Sequence, residues 1–190
     1  MTRRPVGWRD HALGLVLCVV HVASLLASSR SVGMARDEGF YVVAAERYGA
    51  WIAQLLDDPA AATTRAAVDR AWAYNHEHPS LVKSMFAVFH LAQERWELFA
   101  QPSMAYRFFG MLSAGLLTWL VYIFGARARG RLVGAFAAVA LALMPRVFYH
   151  SQLAAFDVPI VLMMTLVTYC YWRSLRDGRW AIATGVAYGL

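Results

Sequence analysis

The sequence predicts an all-α integral membrane protein, built as a multi-pass helical bundle. Hydrophobic residues make up 59% of the 190 residues and charged residues only 16%, with a mean hydropathy of +0.43. This is more apolar than an ordinary soluble domain. Apolar stretches that approach the roughly 20 residues needed to cross a bilayer recur at about residues 12–28, 106–125, 132–147, 158–172 and 180–190.

The first apolar stretch has two interpretations. A basic N-terminus, an apolar run and then Ala27-Ser28-Ser29 also fit a cleaved signal peptide. We favour a retained helix, because the acidic pair Asp37-Glu38 that follows needs an anchor to be held at the membrane surface.

The segment that follows, residues 30–105, predicts helices with apolar, aromatic faces. The first runs from Glu38 and ends at Asp58-Pro59, since the residue before proline disfavours helical geometry. Two more helices are expected at about residues 61–74 and 80–99. Helices this amphipathic lie in the membrane interface rather than across it, with a small soluble domain as the alternative.

The last apolar stretch, residues 180–190, ends without a polar residue. A spanning helix cannot end in hydrocarbon with its last carbonyl groups unpaired. We therefore expect residues 1–190 to be the N-terminal part of one longer transmembrane domain.

Basic clusters predict the orientation. Because cytoplasmic loops are enriched in lysine and arginine, we expect three arginine clusters and the N-terminus in the cytoplasm. The loop 30–105 and the turn 145–159 then lie outside. These clusters account for the pI near 9.7, so no nucleic-acid partner is expected. The clusters are Arg3, Arg4 and Arg9, then Arg127, Arg129 and Arg131, then Arg173, Arg176 and Arg179.

Charged residues gather at the predicted outer ends of these stretches. Taken singly, each has a structural explanation: acids cap helix starts, and basic residues near helix ends snorkel to the headgroups. Together they form the set that a reaction with a phosphate leaving group requires, with carboxylates to deprotonate an acceptor or hold a metal and cations to stabilise the phosphate. The set is Asp37, Glu38, His76, His78, Lys83, Arg146, His150 and Asp157.

Three motifs carry a family resemblance. In order they are Asp37-Glu38-Gly39-Phe40-Tyr41, residues 74–83 (YNHEHPSLVK) and residues 144–159 (MPRVFYHSQLAAFDVP). Together they resemble bacterial phospholipid-carrier-dependent glycosyltransferases, which belong with the protein O-mannosyltransferases and the lipid A aminoarabinose transferases. Ser80 stands where family members often have a second proline.

The resemblance implies a GT-C fold in the bacterial inner membrane. It implies transfer of a sugar from a polyprenyl-phosphate carrier to an external acceptor, a protein, lipid or polysaccharide, with inversion at the anomeric carbon. By the same resemblance Asp37 is the general base, Glu38 is its neighbour in positioning, and Asp157 is a second essential acid.

The resemblance also implies a phosphate site. The motif with His78 and Lys83 would hold the carrier phosphate, and Arg146 is a further cation for it. Metal dependence varies within the family, so a divalent metal ion on His76, His78 and His150 stays open.

The alternative function is a transporter or flippase for lipid-linked substrates. Such a protein lines a pathway inside its spans with ionisable residues, whereas the apolar stretches hold almost none besides His21. The charged residues gather at one edge, which favours chemistry at the membrane surface. An inactive or structural subunit is the third interpretation.

Overall fold

The computed structural model describes residues 6–190, so the predicted cytoplasmic residues Arg3 and Arg4 lie outside the described part. A 3₁₀ turn, Ser29–Ser31, extends the first helix. The described residues form ten α-helices: α1 (Trp8–Ser28), α2 (Glu38–Asp57), α3 (Pro59–Ala62), α4 (Arg65–Trp72), α5 (Ser80–Trp96), α6 (Ser103–Ala128), α7 (Arg131–Ala142), α8 (Pro145–His150), α9 (Asp157–Ser174) and α10 (Arg179–Gly189).

Two predicted helices are each divided in two. The helix expected at 61–74 is interrupted because the Thr64 hydroxyl accepts a hydrogen bond from the backbone N–H of Ala67 and starts α4 anew. The stretch expected at 132–147 is interrupted because Pro145 lacks a backbone N–H and is suited to the first turn of a helix. There α7 ends at Ala142 and α8 begins at Pro145.

Two helical segments are long and apolar enough to cross a membrane. They are Trp8–Ser31 and Ser103–Ala128. Arg131–Ala142 is apolar but shorter. Within residues 6–190 the other predicted spans do not meet the same length and hydropathy, so the arrangement with five spans stays a prediction.

The chain divides into two compact units. The span unit comprises residues 6–32, Gly110–Gln152 and Asp157–Leu190 of the described chain, and the loop unit comprises Gly33–Phe109 and Leu153–Phe156.

Glycines allow close helix packing in the span unit. A Cβ atom added to Gly134 would lie 2.5 Å from the carbonyl oxygen of Tyr122, and one added to Gly125 would lie 2.7 Å from the Cα of Gly134. These contacts bring α6 and α7 together, as small residues do at helix interfaces in membranes. A Cβ at Gly115 would likewise lie 2.8 Å from the Cys18 sulfur on α1.

A buried carboxylate joins α1 to the same pair of helices. Asp10 is 4% exposed and accepts hydrogen bonds from Nε and Nη2 of Arg131, at 2.5 and 2.9 Å. The Tyr122 hydroxyl donates to it as well, at 3.2 Å. One arginine of the predicted cytoplasmic clusters therefore has a structural role in the span unit.

The loop unit has its own aromatic core. Helices α2, α5 and the start of α6 enclose it, and the short segment Leu153–Phe156 adds two residues from further along the chain. The buried members are Ala45, Tyr48, Val82, Phe86, Ala87, Tyr106, Ala154 and Phe156.

Candidate active site

Asp37 lies at the N-terminus of α2 with an exposed side chain. Its backbone is helical, at φ −75° and ψ −22°, and its side chain makes no capping hydrogen bond. Capping, the structural explanation left open by the sequence, therefore does not account for this residue. Its carboxylate is open to solvent at a helix end whose free N–H groups favour an anion.

Glu38, the next residue, is in the opposite situation. It is 2% exposed, and both carboxylate oxygens are occupied. Nε and Nη2 of Arg107 donate to Oε1 and Oε2, each at 2.8 Å. The backbone N–H groups of Ala154 and Ala35 donate to the same two oxygens, at 2.8 and 2.7 Å. The expected role of Glu38 in positioning Asp37 stays a prediction, and the structure shows its charge paired with Arg107 inside the loop unit.

The Glu38–Arg107 pair joins separate parts of the loop unit. Arg107 lies on α6, Ala154 lies on the segment Leu153–Phe156, and Arg107 also donates from Nη2 to the carbonyl oxygen of Gly33, at 2.9 Å. Sequence reasoning missed Arg107. The available signal was its place inside the predicted span 106–125, because an ionisable residue in an apolar helix implies a partner elsewhere.

The His-Glu-His motif forms a turn braced from within. Asn75 adopts a left-handed conformation, at φ 55°, which asparagine tolerates better than most residues. The side-chain amide of Asn75 donates to Oε1 of Glu77, at 2.8 Å. The backbone carbonyl oxygen of Asn75 accepts a hydrogen bond from Nζ of Lys83. The backbone N–H of Glu77 donates a hydrogen bond to the carboxylate of the same residue and holds the pKa of Glu77 below its ordinary value. The imidazoles of His78 and His76 lower this pKa as well.

Lys83 is fully buried, with 0% of its surface exposed. Its ammonium lies 5.4 Å from the ring centre of Tyr48. Burial lowers the pKa of Lys83, and the negative charge of Glu77 opposes this shift. Lys83 therefore does not snorkel, and in this conformation it does not present its ammonium to a carrier phosphate. It holds the turn that carries the histidines.

The two histidines of that turn differ in exposure. The side chain of His76 is 78% exposed, and its Nδ1 lies 3.0 Å from the carbonyl oxygen of Ala73. The ring of His78 is packed against aromatic residues, with ring centres 5.7 Å from Tyr41 and 5.4 Å from Phe156. Only part of the His78 side chain, 40%, is exposed.

The span unit brings three of the predicted site residues together. Arg146 and His150 are four residues apart on α8 and so share a helix face. Nδ1 of His150 lies 3.5 Å from Oδ2 of Asp157, at the start of α9. All three line a cavity of about 200 Å³, whose other walls are apolar: Leu117, Leu141, Val147, Val158 and Val161.

The three predicted metal ligands are divided between the two units. Within each unit, the described residues include no group of three or more His, Cys, Asp or Glu side chains placed to hold a metal ion. His76 and His78 belong to the turn of the loop unit, and His150 pairs with Asp157 in the span unit. The contacts of His76 with Ala73 and of His150 with Asp157 do not support a metal site formed by all three histidines.

The motifs around this geometry match a known family. Residues 74–190, more than half of the chain, match the family described as dolichyl-phosphate-mannose-protein mannosyltransferase. The chain belongs to this family. Searches of curated proteins and of solved structures gave no match.

Membership makes this mannosyltransferase-family protein a membrane glycosyltransferase that uses a lipid-phosphate-linked sugar as donor. The matched residues include the His-Glu-His turn and the Arg146–His150–Asp157 cluster, whereas Asp37 and Glu38 precede them.

Glu38→Gln should destabilise the protein, because it removes the negative charge that pairs with the buried Arg107 guanidinium. Breaking a buried ion pair from one side costs roughly 3–5 kcal/mol, which thermal unfolding in detergent would detect as a lower midpoint. Removing both charges in Glu38→Gln/Arg107→Gln should recover part of this loss. A Glu38→Gln protein that unfolds at the wild-type temperature would show that the pair does not hold the loop unit together.

Lys83 is the single lysine of the sequence, so its burial can be tested by amine chemistry. We expect an amine-reactive reagent to leave Lys83 unmodified in the folded protein and to modify it after denaturation, because a fully buried amine is closed to the reagent. Peptide mass spectrometry would measure both states. Equal modification before and after unfolding would place the ammonium at the surface instead.

Proposed function

We propose that this protein transfers a sugar from a polyprenyl-phosphate carrier to a hydroxyl group of an acceptor on the extracytoplasmic side of the bacterial inner membrane, by a single displacement. The acceptor oxygen forms a bond to the anomeric carbon as the bond from that carbon to the phosphate oxygen breaks. The bonding electrons leave with the carrier phosphate, and the acceptor proton passes to a carboxylate. Attack opposite the leaving phosphate inverts the anomeric carbon.

We assign the proton-accepting carboxylate to Asp37. The contrast with its neighbour carries this assignment: Glu38 is buried and paired with Arg107, while Asp37 is exposed and makes no capping hydrogen bond. A general base must have a free lone pair within reach of the proton it takes. Because Glu38 is fixed, the backbone that carries Asp37 is fixed too, which is what a positioned base needs.

We assign the carrier phosphate to Arg146. Its planar guanidinium suits two phosphate oxygens at once, and the apolar side of its cavity suits the first carbons of an isoprenoid chain. Asp157, 3.5 Å from His150, is the second acid and orients that imidazole beside the phosphate. The family resemblance also implies a phosphate contact for His78, whose ring is packed against Tyr41 and Phe156.

Asp37→Asn separates a catalytic role from a structural one. Asparagine keeps the shape but cannot accept the acceptor proton, and general-base catalysis is typically worth about 10²–10⁴-fold. We expect transfer from a radiolabelled polyprenyl-phosphate sugar to fall by that factor, with thermal unfolding close to wild type. An Asp37→Asn enzyme that keeps most of its transfer rate would place the base elsewhere.

Arg146→Gln should weaken use of the lipid donor, because it removes a charge-assisted contact worth about 1.5–3 kcal/mol. This corresponds to roughly a ten- to hundredfold loss in kcat/KM for the carrier-linked sugar. Arg95→Gln, at an exposed arginine in the last turn of α5, is the matched control and should behave as wild type. Equal effects of the two substitutions would argue against a phosphate site at Arg146.

Cysteine labelling tests the proposed side of the membrane. Ala60 and Tyr149 are exposed in the loop and turn that the arginine pattern assigns to the outside, and Asp177 is exposed among the predicted cytoplasmic arginines. In whole cells an impermeant thiol reagent should label Ala60→Cys and Tyr149→Cys but not Asp177→Cys, and both native cysteines are buried. Labelling of only one of the two outer positions would contradict a shared extracytoplasmic side.

A further inference from the structure

A groove in the loop unit has no part in the proposed chemistry. It lies between α2 and α4 and has a volume of about 420 Å³. Arg47 and Gln54 line it from α2, together with Trp51, and Arg70 lines it from α4; the remaining lining residues are alanines. Because alanine side chains are short, the two guanidinium groups border open space.

The arginines of this groove have no carboxylate partner among the described residues. Arg65, on the same helix as Arg70, pairs with Asp69 at 3.5 Å, but no such pair forms at Arg47 or Arg70. The guanidinium of Arg47 instead lies 4.5 Å from the ring centre of Tyr74. Stacking of this kind holds the guanidinium plane and leaves its N–H donors free at the edge.

The wall of the groove is already ordered. The indole N–H of Trp51 donates to the carbonyl oxygen of Ala62, at 2.9 Å, and the indole ring packs edge-on against Trp72, with ring centres 5.4 Å apart. A ligand that enters this groove therefore meets side chains whose conformational entropy is already reduced, which favours binding.

The surrounding charge favours a single local anion over an anionic bilayer. Residues 38–72 contain five acidic and three basic residues, whereas segments that bind anionic lipid surfaces carry clusters of basic residues. A carboxylate fits between two guanidinium groups, and each can donate two parallel hydrogen bonds to it.

The groove lies along the helix that begins at the proposed base. Arg47 is ten residues after Asp37, which is about 15 Å along an α-helix. Phe40 and Val43 are exposed between them and, at three- and four-residue spacing, lie on the same helix face as Arg47. An extended polypeptide covers about 15 Å in four or five residues.

We propose that this groove binds a carboxylate side chain of an acceptor polypeptide, four or five residues from the hydroxyl group that receives the sugar. This inference rests on the proposed role of Asp37 and names the acceptor class of that site: a polypeptide with a nearby acidic residue. Phe40 and Val43 contact the intervening residues of the acceptor.

A peptide series tests the proposal. Each fluorescent test peptide would carry one threonine and one glutamate, with the glutamate five residues before or five residues after the threonine. One comparison peptide would have glutamine in place of the glutamate. The other would have the glutamate next to the threonine. Binding to the purified full chain would be measured by anisotropy without donor. We expect the distant glutamate to tighten binding about five- to tenfold over both comparisons, as for an exposed charge-assisted contact with two arginines.

Substitutions then locate the effect. Arg47→Gln/Arg70→Gln should abolish the advantage of the glutamate peptide, while Arg65→Gln, at the paired arginine of the same helix, should keep it. Equal binding of glutamate and glutamine peptides to the wild type, or an advantage that survives the double substitution, overturns the proposal. Arginine-dependent binding of a short-chain phosphatidylglycerol, with no peptide preference, also overturns it and assigns the groove to lipid.

Transfer assays distinguish failure of the groove from failure of the proposed function. If the protein transfers sugar to threonine peptides and the glutamate and glutamine versions have the same KM, the groove proposal is overturned. The proposed glycosyl transfer would still be supported. A folded protein could instead bind the glutamate peptide more tightly than the glutamine peptide and yet transfer sugar to neither. This result contradicts the proposed polypeptide acceptor and the role of Asp37 toward it.

Discussion

The buried ion pair between Glu38 and Arg107 is the constraint on which the loop unit depends. Removing two charges from water costs several kcal/mol for each, and the cost is offset only when the geometry is good and the remaining hydrogen-bond positions are filled. Here they are filled by the backbone of Ala35, Ala154 and Gly33. The pair thereby fixes the start of α2 against the first turns of α6 and the segment Leu153–Phe156. Asp37, at the N-terminus of α2, is held in place, and its side chain makes no capping hydrogen bond.

Residues of the same charge differ in burial, and we base their proposed roles on that difference. Glu38 and Lys83 are buried and hold the fold, Glu38 through Arg107 and Lys83 through the carbonyl of Asn75. Asp37 and Arg146 are exposed, and we propose that both contact the substrates. Glu38, the neighbour of Asp37 in the sequence, has both carboxylate oxygens occupied by hydrogen bonds from Arg107 and the backbone.

Local sequence rules predicted much of the helical structure and less of the site. Asp58-Pro59 ends α2 as predicted, since proline restricts the backbone of its immediate neighbours. Pro145 has the same local effect and explains the break between α7 and α8, which the hydropathy pattern alone did not predict. Glu38 and Arg107 are 69 positions apart, so nothing local indicates that either is paired. The burial of Lys83 was not predicted, because its partner is the backbone carbonyl oxygen of Asn75. Every residue has such an oxygen, so the sequence does not indicate which one a lysine will contact.

The anomeric configuration of the product tests the central claim most directly. If Asp37 is the base of a single displacement, the sugar in the product has the configuration opposite to that in the carrier-linked donor. Nuclear magnetic resonance of a glycosylated acceptor, made with a donor of defined configuration, reads this from the coupling and chemical shift of the anomeric proton. Inversion is the predicted result. Retention would instead indicate two successive displacements through a covalent glycosyl intermediate, or attack from the same face as the leaving phosphate, and would contradict the account.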